Sequence, residues 1–342
     1  MPYINDKIAE NQEFILRRKF MAKASRTSRF AFDPKKVIEE LRKNIVGQED
    51  VIGTMTDILY LLKADFSDIN RPLSVNFFLG PTGVGKTETV KLISKSILGD
   101  DKNFCRIDMN TLAQEHYAAA LTGAPPGYVG SKEGYTLFNV EAIEGSFSRP
   151  GIVLFDEIEK ASNEVVRSIL NILDTGKLKI AGGTKEINFS NSLIFMTSNV
   201  GAREYSQAAH KRKWWPFGGG SGQEEISERA LKERFDPEFL NRIERIVHFK
   251  SLGHAFVDSI IDIELHKINQ RLMSKNAQVT IDNSARAEIG GYYNIEYGAR
   301  NLAHLMHTKL GPVVAKSMME NVEQENFVVS FVDGKFCVLT NI

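Results

Sequence analysis

The sequence is poor in the features that mark secreted, membrane-spanning and disulfide-bonded proteins. It has two cysteines in 342 residues, far apart at Cys105 and Cys337, and they belong to no Cys-x-x-Cys pair. No apolar run approaches the roughly 18 residues that a membrane-spanning helix requires. The N-terminus has no apolar core of a secretory signal. We therefore expect reduced thiols, no transmembrane segment and a cytoplasmic location.

The chain also has no excess of charge, with 43 Lys and Arg residues against 43 Asp and Glu residues. Proteins that bind nucleic acid over much of their surface are usually basic, so we expect no nucleic acid partner. Of seven histidines, His304 and His307 lie three apart, but no Cys or acidic partner completes a metal site. The apolar share of 42% is sufficient for one large domain or two smaller ones.

A glycine-rich segment follows the apolar run Ser74–Leu79 and reads Gly80-Pro-Thr-Gly-Val-Gly-Lys86-Thr87. This is the pattern of a phosphate-binding loop between a strand and a helix. Lys86 would reach the β- and γ-phosphates, and the Thr87 hydroxyl would ligate Mg²⁺. The motif therefore predicts ATP or ADP and Mg²⁺ as ligands. The residues of this segment and of the position after it that are expected to contact the nucleotide are Pro81, Thr82, Gly83, Val84, Gly85, Lys86, Thr87 and Glu88.

Two acidic residues, Asp156 and Glu157, follow the apolar residues 152–155. Open α/β sheets bind their ligands at the carboxyl ends of strands. Asp156 would hold the Mg²⁺ shell, and Glu157 would polarise the attacking water as a general base. Asn199 ends another apolar run, and its amide would hold that water or sense the γ-phosphate. The alternative for Asn199 is a helix or turn cap, a position that Asn favours.

Short apolar runs alternate with helical patterns up to about residue 250, which predicts a parallel sheet with helices on both faces. The predicted strands are 75–79, 104–107, 152–155, 193–196 and 246–249, and predicted helices include 34–44, 50–63 and 86–98. Beyond residue 251, helix patterns at 255–275 and 299–320 precede a hairpin at 327–339 with an Asp-Gly turn. We divide the chain into a basic leader (1–32), a large nucleotide-binding domain (33–250) and a small domain (251–342).

Taken together, these segments resemble AAA+ ATPases, and most closely the C-terminal ATPase module of two-ring Clp proteins, over about residues 38–340. The further motifs that carry the resemblance are Ile45-Val-Gly-Gln48, Thr197-Ser-Asn199, Phe239-Leu-Asn-Arg242-Ile and Gly298-Ala-Arg300. The resemblance implies an α/β AAA+ fold with a five-stranded parallel sheet, followed by a small helix-rich domain with a terminal β-hairpin.

The resemblance also implies roles for particular residues. Val46, Gly47 and Gln48 would contact the adenine. Arg242 would act as an arginine finger on the nucleotide of a neighbouring subunit, which implies a homo-hexameric ring. Arg300 would act as a second sensor on the nucleotide of its own subunit. For both arginines the alternative is a surface ion pair.

Residues 122–130 contain two prolines and three glycines, so they cannot form a helix or a central strand. The resemblance places Gly127, Tyr128, Val129 and Gly130 at the axial pore of a hexamer, where the tyrosine grips a protein substrate. A plain turn, with Tyr128 packed on its own domain, is the alternative. Residues 181–186 resemble a second pore loop.

Trp214, Trp215 and Phe217 lie where protease-partnered Clp ATPases carry a docking loop, but the Ile-Gly-Leu or Ile-Gly-Phe tripeptide of those loops is absent. Aromatic anchors are typical of binding hot spots, so this segment or the basic leader would dock an adaptor or another partner. The alternatives are packing on the same subunit or contact with a membrane surface, and a solvated helix for the leader.

We therefore predict ATP-driven unfolding or threading of protein substrates by a hexameric ring. The chain has no Gly-x-Ser-x-Gly and no His-Glu-x-x-His motif, so cleavage of peptide bonds would need a separate protein. Two alternatives share the same ATPase core. One is a nucleic-acid motor or loader, and the other is a nucleotide-gated assembly scaffold with slow hydrolysis.

Overall fold

The computed structural model describes residues 28–68, 70–100, 103–114, 137–180, 186–202, 204 and 222–339. The predicted pore loop at 127–130, most of the second loop at 181–186, the aromatic segment at 214–217 and most of the leader lie outside these residues. The predictions made for those segments therefore remain predictions.

Strands make up two sheets and a short ribbon in the described residues. The strands are β1 Ser74–Leu79, β2 Cys105–Asp108, β3 Gly151–Asp156, β4 Lys177–Lys179, β5 Glu186–Asn188, β6 Ser192–Ser198, β7 Arg245–His248, β8 Gln278–Ile281, β9 Asn326–Val332 and β10 Lys335–Leu339.

Helices precede, separate and follow these strands. The α-helices are α1 Pro34–Asn44, α2 Glu49–Lys63, α3 Lys86–Leu98, α4 Val140–Glu144, α5 Asn163–Thr175, α6 Gln223–Arg234, α7 Pro237–Leu240, α8 Val257–Leu272, α9 Asn283–Gly291, α10 Ala299–Leu305 and α11 Gly311–Glu320. Short 3₁₀ turns include Met109–Leu112 and Ile158–Lys160, and a π-helical turn, Met306–Leu310, joins α10 to α11.

The central sheet has the order β2-β3-β6-β1-β7, and every neighbouring pair is parallel. The predicted five-stranded parallel sheet is confirmed. β1, β3 and β6 are buried along their whole length, as expected for central strands covered on both faces. The register pairs Asp108 with Asp156 and Leu79 with Ser198, so the carboxyl ends of four strands meet at one edge.

Side chains of β1 alternate between the two faces of this sheet, because successive residues of a strand point in opposite directions. Phe78 packs on one face against Phe195 and Phe249, with ring centroids 5.4 and 5.1 Å apart. Phe77 faces the other core and meets Phe235 edge-on. Helices cover both faces, so the loop after β1 stands on a rigid base.

The C-terminal part holds α8 to α11 and a second sheet of order β10-β9-β8. β9 and β10 form the predicted terminal hairpin, whose turn residues Asp333 and Gly334 both have positive φ, at 51° and 76°. The sequence reading missed β8, which pairs in parallel with β9. The small helix-rich domain with a terminal hairpin is confirmed as part of the fold.

Candidate nucleotide-binding and hydrolysis site

The loop between β1 and α3 lies against the start of α10. Gly83 has a φ of 76°, and a Cβ atom there would lie 2.0 Å from the carbonyl oxygen of Tyr297. The backbone N–H of Ala299 donates to the Gly83 carbonyl at 3.0 Å. A Cβ atom on Gly298, whose φ is 57°, would lie 2.7 Å from the same Gly83 carbonyl oxygen. Glycine is therefore required at positions 83 and 298 because two backbones meet there.

Lys86 is buried at the first position of α3, with 7% of its surface exposed. Its ammonium donates to the carbonyls of Gly80 and Pro81, both at 2.6 Å, and to Asn199 Oδ1 at 2.8 Å. All three ammonium protons thus have an acceptor. Burial lowers the pKa of Lys86 to about 8, and nearby carboxylates limit that fall. The carboxylates belong to Glu159, Asp156 and Glu157.

Asp156 ends β3 and accepts hydrogen bonds on both carboxylate oxygens. The hydroxyls of Thr87, at 3.1 Å, and Thr197 donate to Oδ1. The guanidinium of Arg106 donates to Oδ2 through Nε at 3.0 Å and Nη2 at 2.7 Å. Asp156 is only 6% exposed, so these partners fix the direction of its carboxylate.

Glu157 follows in a left-handed conformation, with a φ of 57°. Its backbone N–H donates to Thr197 Oγ1 at 3.0 Å, and its Oε2 accepts from Asn110 Nδ2 at 2.7 Å. A non-glycine residue in this region costs about 1–3 kcal/mol and is common at functional sites. The turn brings the Glu157 carboxylate to the cavity edge beside the end of β2.

These residues line a cavity of about 440 Å³, a size within the range of small-molecule sites. The lining includes the phosphate-binding loop together with Asp156, Glu157 and Asn199. It also includes apolar side chains, which suit a nucleotide base. The apolar residues are Ile45, Val46, Leu252, Ile260 and Ile263.

Gln48, which sequence reasoning assigned to the adenine contact, does not line this cavity. It is 1% exposed, and its amide Nε2 donates to the carbonyl of Lys250 at 2.8 Å. The N–H of Lys250 donates back to Gln48 Oε1 at 2.9 Å. Gln48 thus joins the chain before α2 to the chain after β7, while its neighbour Val46 lines the cavity. The backbone of Gly47 packs near Leu252 and Phe256.

The two predicted arginines lie in different places. Arg300, in the first turn of α10, lines the cavity of its own chain. Arg242 does not line it; its Nε lies 2.9 Å from Asp174 Oδ1 near the end of α5. The Arg242 Nε hydrogen is not aligned with that oxygen, so the contact is an ion pair without a hydrogen bond. With 29% of its side chain exposed, Arg242 remains accessible.

An ion-pair cluster connects the small domain to the helix after the phosphate-binding loop. Lys267 on α8 lies 3.0 Å from Glu88 on α3 and 3.0 Å from Glu264 on its own helix. Burial alone would lower the pKa of Lys267, but the two carboxylates outweigh it and raise that pKa. Glu88, predicted as a nucleotide contact, lines the cavity with this lysine as its partner.

Sequence reasoning missed four polar residues of the site: Arg106, Asn110, Thr197 and Lys267. Thr197 belongs to the motif Thr197-Ser-Asn199, but its contacts with Asp156 and Glu157 were not predicted. Arg106 lies within β2 and Asn110 lies in the turn after it. Their contacts depend on the register between β2 and β3, so no local sequence signal identifies them. Lys267 carries no local signal.

The oxygen atoms near Thr87 and Asp156 suit Mg²⁺, which prefers hard oxygen ligands. The two side chains are within hydrogen-bond distance of each other, at 3.1 Å. Within the described residues, no group of three His, Cys, Asp or Glu side chains is placed to hold a metal by itself. Mg²⁺ usually takes one or two protein oxygens together with substrate phosphates, so the residues present fit that ion.

Two family models match the chain in succession. Residues 71–246 match the AAA domain of the Cdc48 subfamily, and residues 252–330 match the C-terminal, D2-small domain of ClpB protein. The chain belongs to the Clp family of AAA+ ATPases. The predicted resemblance to the C-terminal ATPase module of Clp proteins is confirmed, and with it ATP hydrolysis as the activity of the chain.

Relatives of this Clp-family chain differ in length. It is 39% identical to the "ATP-dependent protease ATP-binding subunit-like protein AmiB" of Pseudomonas aeruginosa, over 94% of this chain and 93% of that protein. It is 38% identical to the "ATP-dependent protease ATP-binding subunit-like protein" of Rhodococcus erythropolis, over 85% and 84%. It is also 38% identical to "Chaperone protein ClpB" of Bdellovibrio bacteriovorus, over 82% of this chain but 32% of that protein.

These relatives place the Clp-family chain among ATP-dependent protein-remodelling factors at the level of the family. Nucleotide binding is likewise a property of the family. Among the helices that the structure describes, none is both long and apolar enough to cross a bilayer.

Proposed function

We propose that the chain unfolds or remodels proteins by threading them through the pore of a hexameric ring, driven by ATP hydrolysis. The observation that carries this proposal is the division of the two arginines. Arg300 lines the nucleotide cavity of its own chain, whereas Arg242 is outside it, partly exposed and held by Asp174. A hydrolysis site that needs two cations would therefore be completed by a neighbouring copy.

Within one subunit, the geometry supports distinct tasks for the residues around the cavity. The backbone of residues 82–85 and the ammonium of Lys86 would bind the phosphates. Thr87 and Asp156 would hold Mg²⁺, which neutralises phosphate charge. Glu157 would accept a proton from water, and Asn199 would orient that water from the neighbouring strand. The apolar side chains of the cavity, with Val46, would bind the base.

Charge that develops on the γ-phosphate during transfer needs cations at fixed positions. Arg300 would supply one from the small domain of the same chain, and Arg242 would supply another to the adjacent subunit. Turnover would then rise with assembly. This dependence separates the proposal from a scaffold that binds nucleotide and hydrolyses it slowly.

Work on a substrate would come from Tyr128, which lies outside the described residues, and the proposal for it rests on the family resemblance. The neutral charge of the chain favours protein over nucleic acid as the substrate. Names of relatives point both to chaperones and to the ATP-binding subunits of proteases. We propose that the chain itself remodels proteins in the cytoplasm, and that any proteolysis belongs to a separate partner.

The test uses the full chain with a fluorescent, stably folded protein that carries an unstructured tag. We expect wild type to unfold it with ATP, whereas Tyr128→Ala should hydrolyse ATP and leave the substrate folded. The matched control is Tyr135→Ala, which removes an aromatic ring seven residues further along the chain. Normal unfolding by Tyr128→Ala would contradict the threading proposal.

A second variant tests the chemical step itself. Glu157→Gln should bind ATP and accumulate as assembled rings, because the amide cannot accept the proton of the attacking water. Size-exclusion chromatography with light scattering in ATP would show the assembly. Single subunits at saturating Mg-ATP would contradict the ring.

A further inference from the structure

Arg106 lies on β2 at the edge of the central sheet and turns its guanidinium to the acidic end of β3. It binds Oδ2 of Asp156 through two nitrogens, at 3.0 and 2.7 Å. Both nitrogens donate to one charged oxygen, so the contact is a charge-assisted hydrogen bond with two donors, which is stronger than a neutral one. Lys86 and Thr87 already account for the phosphate-binding loop, so the roles proposed above leave Arg106 without a task.

Few directions of approach to Asp156 remain open. Oδ1 is occupied by the hydroxyls of Thr87 and Thr197, and the residue is only 6% exposed. Oδ2 carries the guanidinium of Arg106 and, at 3.4 Å, the Thr87 hydroxyl, and all three residues line the cavity. A cation that binds Oδ2 would therefore have to share that oxygen with the guanidinium or displace it.

Arg106 and a divalent cation cannot use this oxygen together at low cost. Mg²⁺ binds oxygen at about 2.1 Å, and Arg106 Nη2 lies 2.7 Å from Oδ2. The two positive groups would then lie within about 5 Å of each other and repel strongly. Arg106 can leave, because 46% of its side chain is exposed and water can solvate the released guanidinium.

We propose that Arg106 is a positioning residue that competes with the divalent cation for Oδ2 of Asp156 and so sets the affinity of the site for that cation. The guanidinium holds the carboxylate aimed at Thr87 and yields its place when the cation enters. The inference rests on the proposed role of Asp156 in holding Mg²⁺. A residue of β2 thus sets the affinity for the cation, although β2 contributes no residue to the phosphate-binding loop.

The test measures Mn²⁺ binding to the ADP-bound full chain by electron paramagnetic resonance of the free ion. Loss of a charged hydrogen bond that is half exposed should tighten Mn²⁺ binding by between about threefold and tenfold in Arg106→Gln. Arg106→Lys keeps the charge but loses the two-pronged contact, so its affinity should lie between the two. Either an unchanged or a weaker Mn²⁺ affinity in Arg106→Gln would overturn the proposal.

Two controls distinguish competition for Oδ2 from a general loss of positive charge and from a direct contact of Arg106 with phosphate. Lys91→Gln removes one positive charge from the same cavity without a contact to Asp156, and should shift Mn²⁺ affinity less than Arg106→Gln does. ADP affinity in EDTA should stay the same in Arg106→Gln; a loss there would make Arg106 a phosphate ligand and overturn the competition. Asp156→Asn should weaken Mn²⁺ binding, and if it does not, the metal assignment itself fails.

Discussion

We expect nucleotide binding to depend on pH through the charge of Lys86, because this side chain is buried. Burial lowers the pKa of this ammonium to about 8 from an ordinary value of 10.5. Below pH 8 the ammonium is charged and ready to bind phosphate. Above pH 8 the nucleotide-free protein holds a neutral amine, so ATP binding must take up a proton. The affinity for ATP should therefore fall as pH rises through 8.

The slope follows from that linkage. Each pH unit above 8 should lower the affinity by up to about tenfold, or about 1.4 kcal/mol, because one proton is bound together with the ligand. The fall ends near the pKa that Lys86 has in the ATP complex. The free energy of unfolding depends on pH in the opposite direction. A lowered lysine pKa makes the fold less stable below about pH 8 than above pH 10.5, because the buried charge is costly.

The assay is a titration with a fluorescent ATP analogue at steps from pH 7 to pH 9.5, at constant ionic strength. Lys86→Arg is the matched control, since a guanidinium stays charged across this range. We expect weaker binding in that variant but no change with pH. A flat profile for wild type above pH 8 would refute the reasoning, because it would mean that Lys86 stays charged in the nucleotide-free protein.

Further predictions concern the arginine outside the cavity and the contact of the loop with α10. Arg242→Ala should keep ATP affinity and lose most ATP turnover. Because its ion pair is partly exposed, the variant should lose less than about 1 kcal/mol of stability. Turnover at the wild-type rate would contradict the role of Arg242 as an arginine finger. Gly83→Ala should destabilise the nucleotide-free chain by about 2–3 kcal/mol in urea unfolding, from left-handed strain and a displaced backbone contact. Gly99→Ala is its control, since Gly99 has a similar φ of 84° with open space around it, and equal losses in both would contradict the close contact.

Much of the fold was predictable because its central strands are buried on both faces and therefore read as apolar runs. Helix bounds at 34–44 and 86–98 agree to the residue because a cap or a glycine marks their ends. β8 was missed because only Val279 among its four residues is buried. The π-helical turn was also missed: Pro312 has no N–H and its ring crowds the preceding turn, so the helix widens there.

The residues of the site also fall into those that a local sequence pattern predicts and those that it does not. Residues of the phosphate-binding loop and the acidic end of β3 carry local patterns, so sequence alone places them. Arg106 and Asn110 reach Asp156 and Glu157 only because of the register between β2 and β3, which no local pattern encodes. The side chain of Gln48 forms hydrogen bonds with the backbone of Lys250, 202 residues away. No local pattern could have predicted this contact.

The close meeting of Gly83 with residues 297–299 has a mechanical consequence. The helical rod from Ala299 to Glu320 begins at that contact and extends for about 30 Å at 1.5 Å per residue. Because the rod is held at the phosphate-binding loop, a small rotation there moves its far end by a larger distance. A tilt of about 10° at the loop would move the far end by roughly 5 Å. The loss of one phosphate at the loop can therefore be converted into a larger displacement at the end of the small domain.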